Sequence, residues 1–154
     1  MIFSRPEADV YLPTGELSPE ATLARTTHLC VAAHQDDIEI MAHAGIAECF
    51  DAKDKFFTGV VVTDGAGSPR SGRYAALSDL EMQAVRRREQ RDAAALGKYN
   101  LQIQLGHPSV AVKAAETGAV MADLSKIFSG CAPTVVYLHQ PADKHDTHVA
   151  VFLR

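Results

Sequence analysis

The chain has no tryptophan, three cysteines and only 6% aromatic residues among its 154. Cys30, Cys49 and Cys131 are an odd number at wide spacing, with no C-x-x-C pair. That excludes a disulfide framework and a thiolate zinc site, and it fits a reducing, cytoplasmic setting. No run approaches the roughly 18 apolar residues needed to span a bilayer. The first residues, MIFSRPEADVYLPTGE, lack the continuous apolar stretch of a signal peptide. There is no excess of basic charge either. Fifteen Lys and Arg stand against nineteen Asp and Glu, a net charge of −4. Such a chain has no overall attraction to nucleic acid or to an anionic membrane. Repeats and low-complexity tracts are also missing.

What remains is ordinary globular material. Hydrophobic residues make up 47% and charged residues 22%, enough for one domain with its own core. Residues 1–26 carry Pro6, Pro13, Gly15 and Pro19 without a sustained period, and read as an irregular arm with at most a short strand or turn of helix. Residues 27–154 alternate strand and helix. The apolar runs Thr27–Ala33, Phe56–Thr63, Leu101–Leu105 and Pro133–Leu138 read as buried strands. Helices are expected over Ile38–Phe50, from the capping box Ser78-x-x-Glu81 to Leu96 with Gly97 as its stop, over Ala115–Ser129, and from Pro141 onward. Asp36 or Asp37 is placed to cap the first of these. A Gly/Ser/Pro-rich loop with two arginines fills residues 64–76, long enough to carry function. Alternating strands and helices imply a parallel sheet, whose ligands collect where the strands end.

Two polar clusters fall at such ends. His34-Gln35-Asp36-Asp37 follows the first strand, and Asp143-x-His145-x-x-His148 follows the fourth. If those strands are neighbours, two imidazoles and one carboxylate meet at one sheet edge with a position left for water, the pattern of a catalytic zinc site. The blander readings are a pair of helix-capping aspartates and an H-x-x-H surface decoration.

At these residues the chain resembles the zinc-dependent de-N-acetylases of the PIG-L, or LmbE-like, family. VAAHQDDIEIMA is similar to that family's AHPDD signature, VVVTDGAGS to its second strand and T-x-G-x-G loop, Arg88-Glu89 with Ala93-Ala94 and Leu96-Gly97 to its R-E-x-x-x-A-A-x-x-G helix, and Asp143-x-His145-x-x-His148 to its final D-x-H-x-x-H motif. The four occur in the right order over residues 28–148. The resemblance implies zinc ligands at His34, Asp37 and His148 and a general base at Asp36. It also implies a cationic His145 facing the oxyanion and the departing amine. The expected fold is α/β, a Rossmann-like three-layer sandwich with a mainly parallel sheet. Family domains continue beyond the last motif, so the resemblance implies a domain incomplete at its C-terminal end. Gln35 replaces the usual proline. Thr147 stands where many members carry an aspartate, with Asp146 beside it as a candidate substitute. Ser109 stands where relatives carry a sugar-binding aspartate.

The expected activity is removal of an acetyl group from an N-acetylated amino sugar or glycoconjugate by metal-activated water. Alternatives are another metallohydrolase, such as a phosphoesterase, or a non-catalytic metal- or sugar-binding fragment. Nitrogen and oxygen ligands accept Zn²⁺, and also Fe²⁺ or Mn²⁺. Asp64 and Arg70 are candidate substrate contacts, and Asp143 and Asp146 candidate supporting carboxylates. Arg86, Arg87, Arg88 and Arg91 read as a solvated helix face, with Glu89 a partner for a loop arginine. His28 and His43 read as structural, His139 as pocket lining, and His107-Pro108 as loop. The apolar end, Val149 to Arg154, leaves homo-oligomer formation open.

Overall fold

A computed structural model of the chain describes residues 1–15, 17–114 and 118–154. Its sheet has five strands: β1 (Asp9–Tyr11), β2 (His28–Ala32), β3 (Phe57–Thr63), β4 (Leu101–His107) and β5 (Val135–Leu138). They lie in the order β1-β4-β3-β2-β5. β2, β3, β4 and β5 are parallel, and β1 runs antiparallel along β4. The helices are α1 (Pro19–Ala24), α2 (Asp37–Met41), α3 (His43–Cys49), α4 (Asp79–Leu96), α5 (Ser109–Lys113), α6 (Gly118–Gly130) and α7 (Asp146–Phe152), with a 3₁₀ turn at Gly72–Tyr74.

β2, β3 and β4 are buried along their whole length, as strands covered on both faces must be. Side-chain alternation divides their residues between two cores. Leu29, Val31, Val60, Val62, Ile103 and Leu105 pack with Leu23 of α1, Val112 of α5, Leu124 and Ile127 of α6 and Val151 of α7. Cys30, Ala32, Phe57 and Val61 pack on the other side with Ile38, Ala42, Cys49, Ala94 and Tyr99. The result is the expected α/β three-layer sandwich. β2 lies between β3 and β5, with His28 paired to Phe57 on one side and Val135 on the other. The chain builds outward through β3 and β4, then crosses back to lay β5 against β2. That reversal opens a crevice beyond the carboxyl ends of β2 and β5, where ligands of open α/β sheets bind. Among the described residues no helix is long and apolar enough to cross a membrane.

Several local expectations are corrected. The single helix over Ile38–Phe50 is two, α2 and α3, because the backbone leaves the helical region at Ala42 (φ −115°, ψ 17°). Beyond that break α3 runs so close to β5 that a Cβ on Gly45 would lie 2.6 Å from the Tyr137 ring. The Ser78–Glu81 capping box forms in both directions. Gly97 closes α4 as expected, with φ −77°, and the positive φ falls on Lys98. Glycine is needed at 97 for space, since a Cβ would stand 2.6 Å from the Tyr99 ring. The helix expected from Pro141 starts at Asp146. α5 was not foreseen, and α6 begins at Gly118, residues 115–117 of the expected helix lying outside the described residues. Residues 1–26 hold β1 and α1, and Arg91 of α4 grips Asp9 of β1 with two nitrogens.

His107 is not a loop residue but the last of β4. Its Nε2 lies 2.9 Å from Asp123 Oδ2 on α6, and Asp123 Oδ1 accepts both the amide and the hydroxyl of Ser4 at 2.8 Å. Asp123 is 1% exposed and His107 2%, so this pair has no water to fall back on. Asp123→Ala leaves a buried donor unpaired and should cost about 1–3 kcal/mol of folding stability. Urea denaturation checks this, and a loss under about 0.5 kcal/mol, the scatter of neutral surface changes, would contradict the assignment.

Candidate metal centre

β2 ends at the crevice, and the turn beyond it is held by specific bonds rather than by helix propensity. The Ala33 carbonyl accepts the Thr63 amide at 3.0 Å and its hydroxyl at 2.7 Å. The Ala33 amide donates to His139 Nε2 at 2.8 Å, tying β2 to the end of β5. Asp36 precedes α2 with left-handed backbone (φ 88°, ψ −25°), and its side chain makes no capping bond. Neither aspartate caps the helix as expected. Asp37 instead turns back, its Oδ2 accepting the His34 amide at 2.7 Å.

That turn assembles three atoms. His34 Nδ1 is 3.2 Å from Asp37 Oδ2. Asp37 Oδ2 is 3.4 Å from His148 Nε2. His148 Nε2 is 3.3 Å from His34 Nδ1. A tetrahedral ion with bonds of about 2.0–2.1 Å to nitrogen and oxygen has its ligand atoms about 3.3 Å apart. The triangle therefore has the dimensions of one face of such a site, and the donor set suits a divalent ion. Burial pushes the Asp37 carboxyl up, but the His34 amide and the closely placed imidazoles of His139, His34 and His148 outweigh burial and hold it well below the usual carboxylate range. Asp143 fixes the far ligand. Its Oδ1 accepts the His145 amide at 2.8 Å and its Oδ2 lies 3.1 Å from His148 Nδ1. With Nδ1 donating there, the lone pair of His148 Nε2 points into the triangle.

Two further imidazoles border it. His139 stacks on His148 with ring centroids 4.0 Å apart. The ligand atoms of Asp37, His139 and His148, and those of His34, His145 and His148, lie within 4.8 Å of one another. His139 is the weaker ligand candidate, since its Nε2 already accepts the Ala33 amide. It orients, where the sequence pointed only to lining. His145 stacks on His148 at 4.4 Å and meets the edge of His34 at 4.9 Å. Burial, with the neighbouring His148 and His34 rings, pushes it below the ordinary histidine value.

The other expected residues lie around this centre. The Asp36 carboxylate accepts Arg86 Nη2 at 2.8 Å. Asp146 bonds Lys113 at 3.0 Å, leaving its Oδ1 3.7 Å from His145 Nδ1, beyond hydrogen-bond reach. Arg70 is turned into its own loop, bonding the carbonyls of Leu77 and Ser68 and the carboxylate of Asp79. Asp64 accepts the Ala66 amide at 3.0 Å and the Gln83 side chain at 3.2 Å.

Sequence reasoning missed Arg86 and Gln90, which sit beside Asp36. It placed the arginines of α4 on a solvated face, yet Arg86 is largely buried and bonds Glu89 at 2.7 Å. Glu89's arginine is therefore on its own helix. The usable signal was the four-residue spacing Met82, Arg86, Gln90, Ala94, a buried stripe carrying two polar side chains.

Both the sequence and the fold have known counterparts. The family model described as PIG-L: GlcNAc-PI de-N-acetylase matches residues 29–153. A solved structure, that of the conserved protein TT1542 from Thermus thermophilus, is similar in fold. It is 21% identical with a TM-score of 0.62, and the match covers 83% of this chain and 52% of that one. The chain thus spans about half the length of that neighbour. No curated protein matches the sequence.

Titration calorimetry with Zn²⁺ should show a single tight site that His148→Ala abolishes. Asp143→Ala, which frees the His148 tautomer, should weaken binding by about 10- to 100-fold. Undiminished affinity in His148→Ala would dismiss the triangle as a metal centre.

Proposed function

The chain belongs to the PIG-L: GlcNAc-PI de-N-acetylase family, and from that premise we propose that it is a metal-dependent N-deacetylase, using zinc, that hydrolyses the acetamide of an amino sugar or glycoconjugate. The observation that carries the reading is the triangle of His34 Nδ1, Asp37 Oδ2 and His148 Nε2, with edges of 3.2–3.4 Å. When bound there, a divalent ion supplies a Lewis acid for the amide carbonyl and brings the pKa of its water toward about 7.

The remaining work falls to the chain's own side chains. Asp36 is next to a ligand without being one, and its side chain is 63% exposed. In this reading it takes the proton of the attacking water as the new C–O bond forms, then returns it to the nitrogen as the C–N bond breaks. The products are acetate and a free amine. His145, 52% exposed at the crevice, acts through a ring N–H. It donates one N–H to the carbonyl oxygen as negative charge builds there, and releases it when the charge collapses. Asp64 and Arg70 serve substrate binding indirectly, by shaping the 64–76 loop. The amino-sugar class is supported by the family description, which names GlcNAc-PI.

Chelation of zinc should abolish hydrolysis of an N-acetylglucosaminide, and added zinc should restore it. Asp36→Asn should keep its metal yet lose about 10²- to 10⁴-fold in kcat, the usual worth of general-base catalysis. Stripped protein turning over as fast as the zinc form would overturn the proposal.

A further inference from the structure

Asp36 occupies a position that a lone side chain would not hold. Its φ of 88° lies in the left-handed region, uncommon for any residue but glycine. Left-handed single residues are strained and persist where their surroundings over-determine them. Here the surroundings are two side chains one turn apart on α4. Gln90 Oε1 accepts the Asp36 amide at 3.2 Å. Arg86 Nη2 donates to the Asp36 carboxylate at 2.8 Å and to the Gln35 carbonyl. Both clamps are themselves held from behind. Arg86 Nη1 bonds Glu89 Oε2 at 2.7 Å, and Glu89 accepts the Tyr74 hydroxyl at 3.2 Å. Gln90 Nε2 donates to Glu39 Oε1 at 2.9 Å, and the same oxygen takes the Tyr99 hydroxyl at 2.6 Å.

We infer that Arg86 is the positioning residue for Asp36, with Gln90 fixing the backbone beneath it. The guanidinium, held on Glu89, sets where the Asp36 carboxylate points and leaves its other oxygen for the attacking water. The inference rests on the deacetylase reading for the role of Asp36, but the clamp itself is a property of the ground state. A planar guanidinium can span the Gln35 carbonyl, the Asp36 carboxylate and Glu89 at once, which the single ammonium of lysine cannot do.

The test uses the full chain loaded with zinc and an aryl N-acetylglucosaminide as probe. Arg86→Ala should keep zinc stoichiometry and leave KM within about twofold. It should lower kcat about 10- to 100-fold, the scale of a carboxylate displaced by about an ångström. Guanidinium ion should restore part of the loss, and Arg86→Lys should restore little. In an Asp36→Asn background the same substitution should cost nothing further. A second measurement needs no turnover. Asp36→Asn should shift the NMR resonances of the Arg86 guanidinium and leave those of Arg91, paired with Asp9, in place. Unchanged kcat in Arg86→Ala, a loss additive with Asp36→Asn, or Arg86 resonances indifferent to Asp36→Asn would each overturn the inference. If zinc-loaded wild-type protein fails to hydrolyse the probe, the proposed function falls, and the guanidinium resonances alone decide the clamp.

Discussion

Three acceptor atoms facing one another at 3.2–3.4 Å are an electrostatic problem before they are a site. A carboxylate oxygen and two imidazole nitrogens, each presenting a lone pair to a common point, repel unless positive charge sits between them. A proton can bridge one edge at a time. A divalent ion satisfies all three, and the surrounding structure commits the protons in its favour. Asp143 claims the Nδ1 proton of His148, so that ring offers Nε2 as an acceptor. The Ala33 amide occupies Nε2 of His139, so that ring keeps its proton on the far side. The sheet order serves the same end. Because β5 returns to lie beside β2, Asp37 and His148 share one crevice although 111 positions separate them in the sequence.

The turn after β2 shows how local preference yields to this demand. An aspartate before a helix ordinarily accepts the first free amides of that helix. Here Asp37 commits its oxygen to the His34 amide and the triangle, and Asp36 gives its own to a guanidinium. The first turn of α2 is left without a side-chain cap, and the residue before it adopts a strained backbone. Stability given up at this turn is recovered elsewhere, in the two apolar cores and in the bonds that α4 sends across to it.

Much of this was legible in the sequence, and the limits are physical. The β-branched strands announced a parallel sheet because they are buried on both faces and need no alternation. Residues after such strands are where ligands gather, so His34, Asp37 and His148 stood out before any coordinates. Helix breaks were not legible: Ala42 is a good helix former, and the break there reflects the approach of α3 to Tyr137. Gly97 was legible as the stop of α4, but the Tyr99 ring that leaves no room there for a Cβ was not. Arg86 was hidden among Arg87, Arg88 and Arg91, since composition alone does not say which arginine of a basic run faces inward. Only its place in the four-residue stripe that runs from Met82 through Gln90 to Ala94 marks it.

The two histidines of the last motif show how similar residues acquire different work. His148 is pinned at both nitrogens, to Asp143 and to the triangle. His145, three residues earlier, has no carboxylate within hydrogen-bond distance among the described residues, because Lys113 draws Asp146 off. Thr147, buried between them, offers its hydroxyl to Asp146 rather than to either ring. A ring that is half exposed and held by stacking is free to turn an N–H toward a substrate. That is what an acid–base partner needs and what a ligand must avoid. The same short helix thus presents one fixed and one free imidazole to the crevice, and the difference lies in which aspartate each ring can reach.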